Sequence, residues 1–334
     1  MKSDNLSVYI QNFLQDYLTL QKGFSRNTVL SYRDTIKLFL VFSAARKKKA
    51  VTRLIVSDLT PSMVTEFLDY LEKRRGNTRQ TRNVRLACLH SLFRYVAKQD
   101  PLFMAQCQRI LAIPFKRTKS TTVEYPEREE IQAILDAIDL SNVDGLRDHA
   151  LLLFMYNTGA RVQETVNLTT KSFQLERPFQ VRFFGKGDKE RLCPLWPETA
   201  KALRALFKAR DLTQLQVNSP VFVNHQGQVL TRHGVRYLLN KYVVLASAKC
   251  SSLVKKNIHP HSIRHASGMH LLQSGVDINT VRSWLGHTNL VTTNRYAEIN
   301  LEMKRKVLEK YLPNHKTDQP WERNQDLLRW LESL

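Results

Sequence analysis

Residues 179–196, FQVRFFGKGDKERLCPLW, mark the place where the hydrophobic pattern of the chain changes its period. Apolar and polar residues alternate on both flanks of Gly185-Lys186-Gly187-Asp188, which reads as a β-hairpin turning at the glycines. Lys186 stands at the tip, where its side chain can reach into a groove, although a lone hairpin lysine is most simply a surface residue. A Gly-Lys-Gly string also resembles a phosphate-binding loop. The GxxxxGK[ST] spacing is absent, however, and the segment joins two strands rather than a strand and a helix, so nucleotide hydrolysis is not expected.

Outward from the hairpin the spacing is helical. Helices are expected from Pro126-Glu127 through Leu146 to Tyr156, near Pro197 to Arg210, and, after a short strand at Val221-Phe222-Val223, on to Tyr311. The first hundred residues read as helices only. Apolar residues recur in Val8-Ile10-Phe13-Leu14-Tyr17-Leu18, Val29-Tyr32-Ile36-Phe39-Leu40 and Met63-Phe67-Leu68-Leu71. Ser25 can cap the second of these helices, and Thr60-Pro61 gives the third an N-cap with proline at its first position. A fourth helix, about Thr78 to Lys98, is expected to turn Val84, Leu86, Leu89, Leu92, Phe93 and Val96 inward. The fold class is therefore mainly α with a small β-hairpin or sheet.

Residues 111–124, LAIPFKRTKSTTVE, lose the periodicity and divide the chain. The expected organisation is a helical domain at 1–110, a basic linker at 111–124, a second domain at 125–312 and a tail at 313–334. Trp321, Leu327, Leu328, Trp330 and Leu331 give that tail an amphipathic pattern.

Charge narrows the function. Lysine and arginine number 51 against 30 acidic residues, a formal charge of +21, which suits a polyanion such as DNA. Up to and including residue 124 there are 22 basic and 9 acidic residues, and after it 29 and 21, so both parts carry an excess, +13 and +8. Arg74, Arg75, Arg79, Arg82 and Arg85 crowd the fourth helix, and Lys116, Arg117 and Lys119 the linker. A one-sign stripe with hardly any carboxylate reads as a phosphate-tracking face, the alternative being simple solvated charge. A ribosomal or membrane-surface protein fits the charge but not the 43% hydrophobic content. No apolar run approaches the roughly 20 residues that span a bilayer, and the start lacks the pattern of a signal peptide. Cys88, Cys107, Cys193 and Cys250 are too scattered for a CxxC pair and read as reduced thiols of a cytoplasmic protein.

Four further pieces carry chemistry. In TGARVQE, residues 158–164, Thr158-Gly159 breaks a helix and Arg161 starts the next, with Glu164 one turn on to hold the guanidinium. In HPHSIRHASGMHLL, residues 259–272, His261 and Arg264 are three apart, which puts an imidazole and a guanidinium at one anion. His261 and His265 are four apart, but no glutamate follows the first and no third ligand stands nearby, so a metal is not expected. His265 reads as a packed, supporting side chain. In SWLGHTNLVTTNRYAEI, residues 283–299, Gly286 ends a helix, His287 sits in the turn and Tyr296 follows on another short helix. One tyrosine among eleven is ordinarily a core residue; the ordered set changes that weighting.

The set Arg161, Lys186, His261-x-x-Arg264, Gly286-His287 and Tyr296 resembles the tyrosine recombinase, or phage integrase, family over about residues 125–312. The basic helical segment before it is similar to the family's four-helix, SAM-like core-binding domain. Ala160, Ala266 and Gly268 are smaller than the residues usual there. The resemblance implies a site-specific DNA recombinase acting in integration, excision, resolution or transposition. In it Tyr296 attacks the scissile phosphate to leave a 3′-phosphotyrosyl link and a free 5′-hydroxyl. Arg161 and Arg264 clamp the phosphate, Lys186 protonates the leaving oxygen, His261 accepts the tyrosine proton and His287 donates to the phosphate, with Glu164 and His265 in support. No cofactor is implied, since the enzyme keeps the bond energy. The implied partner is double-stranded DNA bound by a homotetramer, or by a heterotetramer with sister recombinases, with residues 321–334 either joining subunits or packing on their own domain. A type IB topoisomerase and a non-catalytic DNA-binding protein are the competing readings.

Overall fold

The computed structural model describes residues 5–118, 124–184, 190–212 and 218–286. Contacts divide the chain into two compact units, Met1–Thr121 and Thr122–Leu334.

In the first unit α1 (Leu6–Asn12) runs without a break into a π-helical stretch, Phe13–Gln21. Three longer helices begin on hydroxyl caps that satisfy an otherwise unpaired backbone N–H. Ser25 accepts from Thr28 N at the start of α2 (Arg26–Lys47), and Thr60 accepts from Met63 N at α3 (Pro61–Lys73). Thr78 accepts from Thr81 N at α4 (Arg79–Gln99). The faces these helices bury meet in one core, where Phe39 packs on Phe67 at 5.1 Å between ring centroids. Each such ring removed from water is worth about 1.5–3 kcal/mol. A further helix, α5 (Met104–Leu111), buries Cys107 and Ile110, and Gln106 Nε2 donates to the carbonyls of Val56 and Leu59.

Two expectations for α4 are corrected. Val84 faces outward, 51% exposed, not into the core. Arg82 lies inside, 5% exposed, with Nη1 donating to the Pro114 carbonyl at 3.2 Å. Asn83 adds bonds to both the N–H and the carbonyl of Lys116, so the segment after α5 is fastened to α4.

The second unit opens with α6 (Arg128–Asp136) and α7 (Val143–Thr158), two helices separated by a turn in which Asp139 accepts from Ser141 and Asn142. Residues 150–155 of α7 are all buried, so this helix runs through the middle of the unit, packed against the later helices Pro197–Ala209 and Pro260–Gln273. After α8 (Val162–Val166) come β1 (Phe173–Gln174), β2 (Gln180–Phe184) and β3 (Glu190–Pro194), an antiparallel sheet in that order. Val181 and Phe183 point to the core while Arg182 and Phe184 point away, as the strand period of two requires. Phe183 pairs with Arg191 and Phe184 with Glu190, the last pairs of the β2–β3 ladder among the described residues.

α9 (Pro197–Ala209), α10 (Arg232–Ser247), α11 (Pro260–Gln273) and α12 (Ile278–Leu285) complete the described residues. The strand expected at Val221–Val223 is not formed. Those residues are buried, and the only bridges described there are isolated ones, Val223 with Val229 and the neighbouring Pro220 with Thr169. Helix continuing to Tyr311, and the tail at 313–334, lie outside the described residues. Cys88, Cys107 and Cys193 are buried free thiols, and burial pushes Cys107 up to about 11 and Cys193 to about 12. Among the described residues no helix is long and apolar enough to cross a membrane.

Candidate active site

The site is built where α7 stops. Gly159 caps that helix in the left-handed region, φ +57°, and the Thr158 hydroxyl donates to Phe154 O while accepting from Ala160 N. This turn delivers Arg161 as the N-cap of α8. Its backbone N–H donates to Glu164 Oε2 at 3.0 Å and its Nη1 to Glu164 Oε1 at 2.7 Å. The Arg161 side chain remains 46% exposed, so the fork keeps donors for a ligand. Burial alone would raise the Glu164 carboxyl pKa, but the bonds from Arg161 and the charges of Arg191 and Arg161 hold it below the usual value.

α11 supplies the opposite wall. His259 accepts from Ser262 N as its N-cap, and Pro260 occupies the first turn. His261 is exposed, whereas Arg264 is 3% exposed. Arg264 Nη1 donates to the Gly159 carbonyl and Nη2 to the Leu285 carbonyl at 2.7 Å, joining the end of α7 to the end of α12. His265 is half-buried, its ring 6.2 Å from that of His261. Desolvation, then the charges of Arg264, His259 and Arg161, lower the His261 pKa, so at neutral pH the ring is a proton acceptor.

Arg161, Arg264, His261, His259, Arg232 and Arg236 line one cleft of about 520 Å³. Among the described residues none that lines it is a carboxylate. Such a concentration of guanidinium and imidazole in a partly desolvated cleft fits a phosphate diester. Arg232, His233, Arg236 and His259 are additions that sequence reasoning missed. The signal for the first three was TRHGVRY, a basic helix start, but only folding brings it against residues 259–264.

The position of α11 is held from behind. His270, 4% exposed, places Nδ1 2.8 Å from the Tyr156 hydroxyl, and Arg128 Nη2 donates to the His270 carbonyl at 3.1 Å. Its Nε2 is 3.8 Å from Glu127, and Tyr125 and Tyr156 meet the ring edge-on. Burial first, then Arg128, push its pKa down to about 4.

Lys186, His287 and Tyr296 lie outside the described residues, as does Lys119. In the first unit Arg74, Arg75, Arg79 and Arg117 are exposed. Arg82 is spent on Pro114, and Arg85, half-buried, donates to Thr35 Oγ1 at 3.2 Å; neither is a free member of the expected stripe. The Lys116 ammonium pairs with Glu72. Among the described residues no cluster of three or more His, Cys, Asp or Glu could hold a metal ion.

The model of the phage integrase family matches residues 125–303, and that of the phage integrase N-terminal SAM-like domain matches residues 10–100. The putative integrase/recombinase y4rC of Sinorhizobium fredii is 38% identical over all of this chain and 99% of its own length. Tyrosine recombinase XerC of Pelotomaculum thermopropionicum is 30% identical, covering 92% of this chain and 99% of that one. Among solved structures, XerH site-specific recombinase in a post-cleavage complex with palindromic difH superposes with a TM-score of 0.66. That match is 23% identical and covers 86% of this chain and 80% of the other, a likeness of fold.

Proposed function

The chain belongs to the phage integrase family and is a tyrosine recombinase, and from that premise we propose that Tyr296 attacks a DNA phosphodiester gripped by Arg161 and Arg264. Its activity is site-specific recombination of DNA. The observation that carries the residue assignment is the cleft in which Arg161, His261 and Arg264 meet, lined by no carboxylate among the described residues.

The chemistry follows from charge. As the tyrosine oxygen bonds to phosphorus, negative charge grows on the nonbridging oxygens, where preoriented cations count most. His261 is the acceptor for the tyrosine proton. The bond from phosphorus to the 5′-oxygen then breaks, and Lys186 supplies the proton that the leaving 5′-oxygen needs. The phosphotyrosyl link keeps the bond energy, so a 5′-hydroxyl from a second strand can reverse the steps and rejoin the DNA. Glu164 and His265 orient these groups, and His287 donates a hydrogen bond to the phosphate.

Arg74, Arg75, Arg79, Arg117 and Lys119 are the proposed phosphate contacts outside the cleft. Proteins of this kind exchange two strand pairs, which asks for four protomers on DNA in the cytoplasm. Residues 313–334 are the proposed link between neighbours.

The test is a covalent one. The wild type and Tyr296→Phe are incubated with DNA from the flanks of the protein's own gene, and adducts that survive SDS are resolved by gel. Adducts only with wild type support the assignment, and an adduct formed by Tyr296→Phe moves the nucleophile elsewhere.

A further inference from the structure

Arg191 stands where the three chain segments of the site meet. It lies on β3, first after the hairpin connection and the pairing of Phe184 with Glu190, and it pairs across the ladder with Phe183. Its guanidinium carbon sits 4.3 Å from the centroid of that Phe183 ring, which fixes the plane of the fork. Nη2 reaches Glu164 Oε2 at 3.4 Å, the second oxygen of the carboxylate that already holds Arg161. On its other side is Gly286, the last residue before His287. A Cβ on Gly286 would collide with Arg191 Nη1 and lie 3.2 Å from its Cδ and Cζ. The side chain is only 15% exposed, and its Nε has no hydrogen-bond partner among the described residues.

We propose that Arg191 is a positioning residue for the cleavage step, acting through Glu164 to keep Arg161 both oriented and available to the phosphate. The role rests on the reading above that Arg161 grips the scissile phosphate. One carboxylate between two guanidiniums leaves the Arg161–Glu164–Arg191 group a net charge of one positive unit, with Arg161 as its member on the cleft. Without Arg191, Glu164 would be neutralised by Arg161 alone. The entering phosphate would then meet a neutral pair, with an acid nearby that competes for the same fork. The geometry acts in the same direction. Glu164 is anchored at Oε2 from β3, so Oε1 can present Arg161 at a fixed angle. Burial lowers the Arg191 pKa and the Glu164 charge raises it again, consistent with a cation retained for its partner.

This reading predicts an unusual rescue. Arg191→Met should slow single-turnover adduct formation by about 10²-fold, the scale of a misplaced reacting group, on DNA that the wild type cleaves. Adding Glu164→Gln removes the competing acid and restores the positive unit on Arg161, so the double variant should regain about 10-fold or more. A residue that merely holds the fold together would not be rescued by deleting its partner. An Arg191→Met rate within about 3-fold of wild type, or a double variant slower than Arg191→Met, overturns the proposal. If Arg191→Met does not fold, Arg191→Lys replaces it. It keeps the charge and should cleave within about 10-fold of wild type, and a loss of about 10²-fold or more counts against the role. Wild type that forms no Tyr296-dependent adduct overturns the catalytic reading itself, and the role of Arg191 with it.

Discussion

Acid should loosen the second unit through His270. The ring is buried at 4% exposure with a pKa pushed down to about 4, whereas the unfolded chain titrates near the ordinary value of about 6.5. Between those two values the unfolded chain binds a proton that the folded one refuses, so stability rises with pH in this window and is lost as pH falls through it. With these pKa values the loss between pH 7 and pH 5 is about 2 kcal/mol, and about 3 kcal/mol once pH is below 4. For a unit of this size that corresponds to a fall in Tm of about 4–8 °C between pH 7 and pH 5. Carboxylates also titrate there, so the measurement is a difference. Thermal unfolding of wild type and His270→Gln is followed from pH 7.5 to 4.5, and the wild-type curve should fall more steeply by that amount. Parallel curves would refute the reasoning, because they would mean that His270 takes up its proton equally in both states.

Two other outcomes follow from the geometry. Cleavage should hold its rate down to a pH below the ordinary histidine value of about 6.5, because desolvation and the guanidinium charges of Arg264 and Arg161 keep His261 neutral there. An acidic limb centred at or above that value, or one unchanged in His261→Gln, would remove His261 as the proton acceptor. Gly159→Ala should cost about 2–4 kcal/mol in denaturant unfolding, since it forces a Cβ into the left-handed region and against Leu285 and Ser267. A loss under about 1 kcal/mol would mean that the turn before Arg161 can relax.

How far the sequence could be read depended on whether the deciding partner was near in the chain. The hairpin, the caps at Ser25 and Thr60, and the Arg161–Glu164 pair are decided within a few residues, and each is found where local pattern puts it. Arg82 and Arg79 look alike in a basic helix, but the carbonyl that draws Arg82 inside belongs to Pro114. Val84 satisfies a helical period yet lies on the outer edge of its stripe. Val221–Val223 has strand composition, but its neighbours offer single bridges instead of a ladder. The cleft shows the same division. Arg161, His261 and Arg264 stand in recognisable local strings, while Arg232 and Arg236 join them in the cleft, and Arg191 reaches Arg161 through Glu164, only by tertiary packing.

Arg264 bears on the timing of assembly. Its buried fork bonds the carbonyls of Gly159 and Leu285, which lie two residues before Arg161 and two before His287. Bringing those two stretches of backbone together costs conformational freedom, and bonds within the folded chain itself offset that cost. DNA therefore encounters a frame already drawn tight, and less ordering of this frame has to be charged against association. A lysine at 264 would carry the same charge, but its compact ammonium lacks the rigid two-pronged reach of a guanidinium. In this protein the shape of that side chain, as much as its sign, determines how early the site exists.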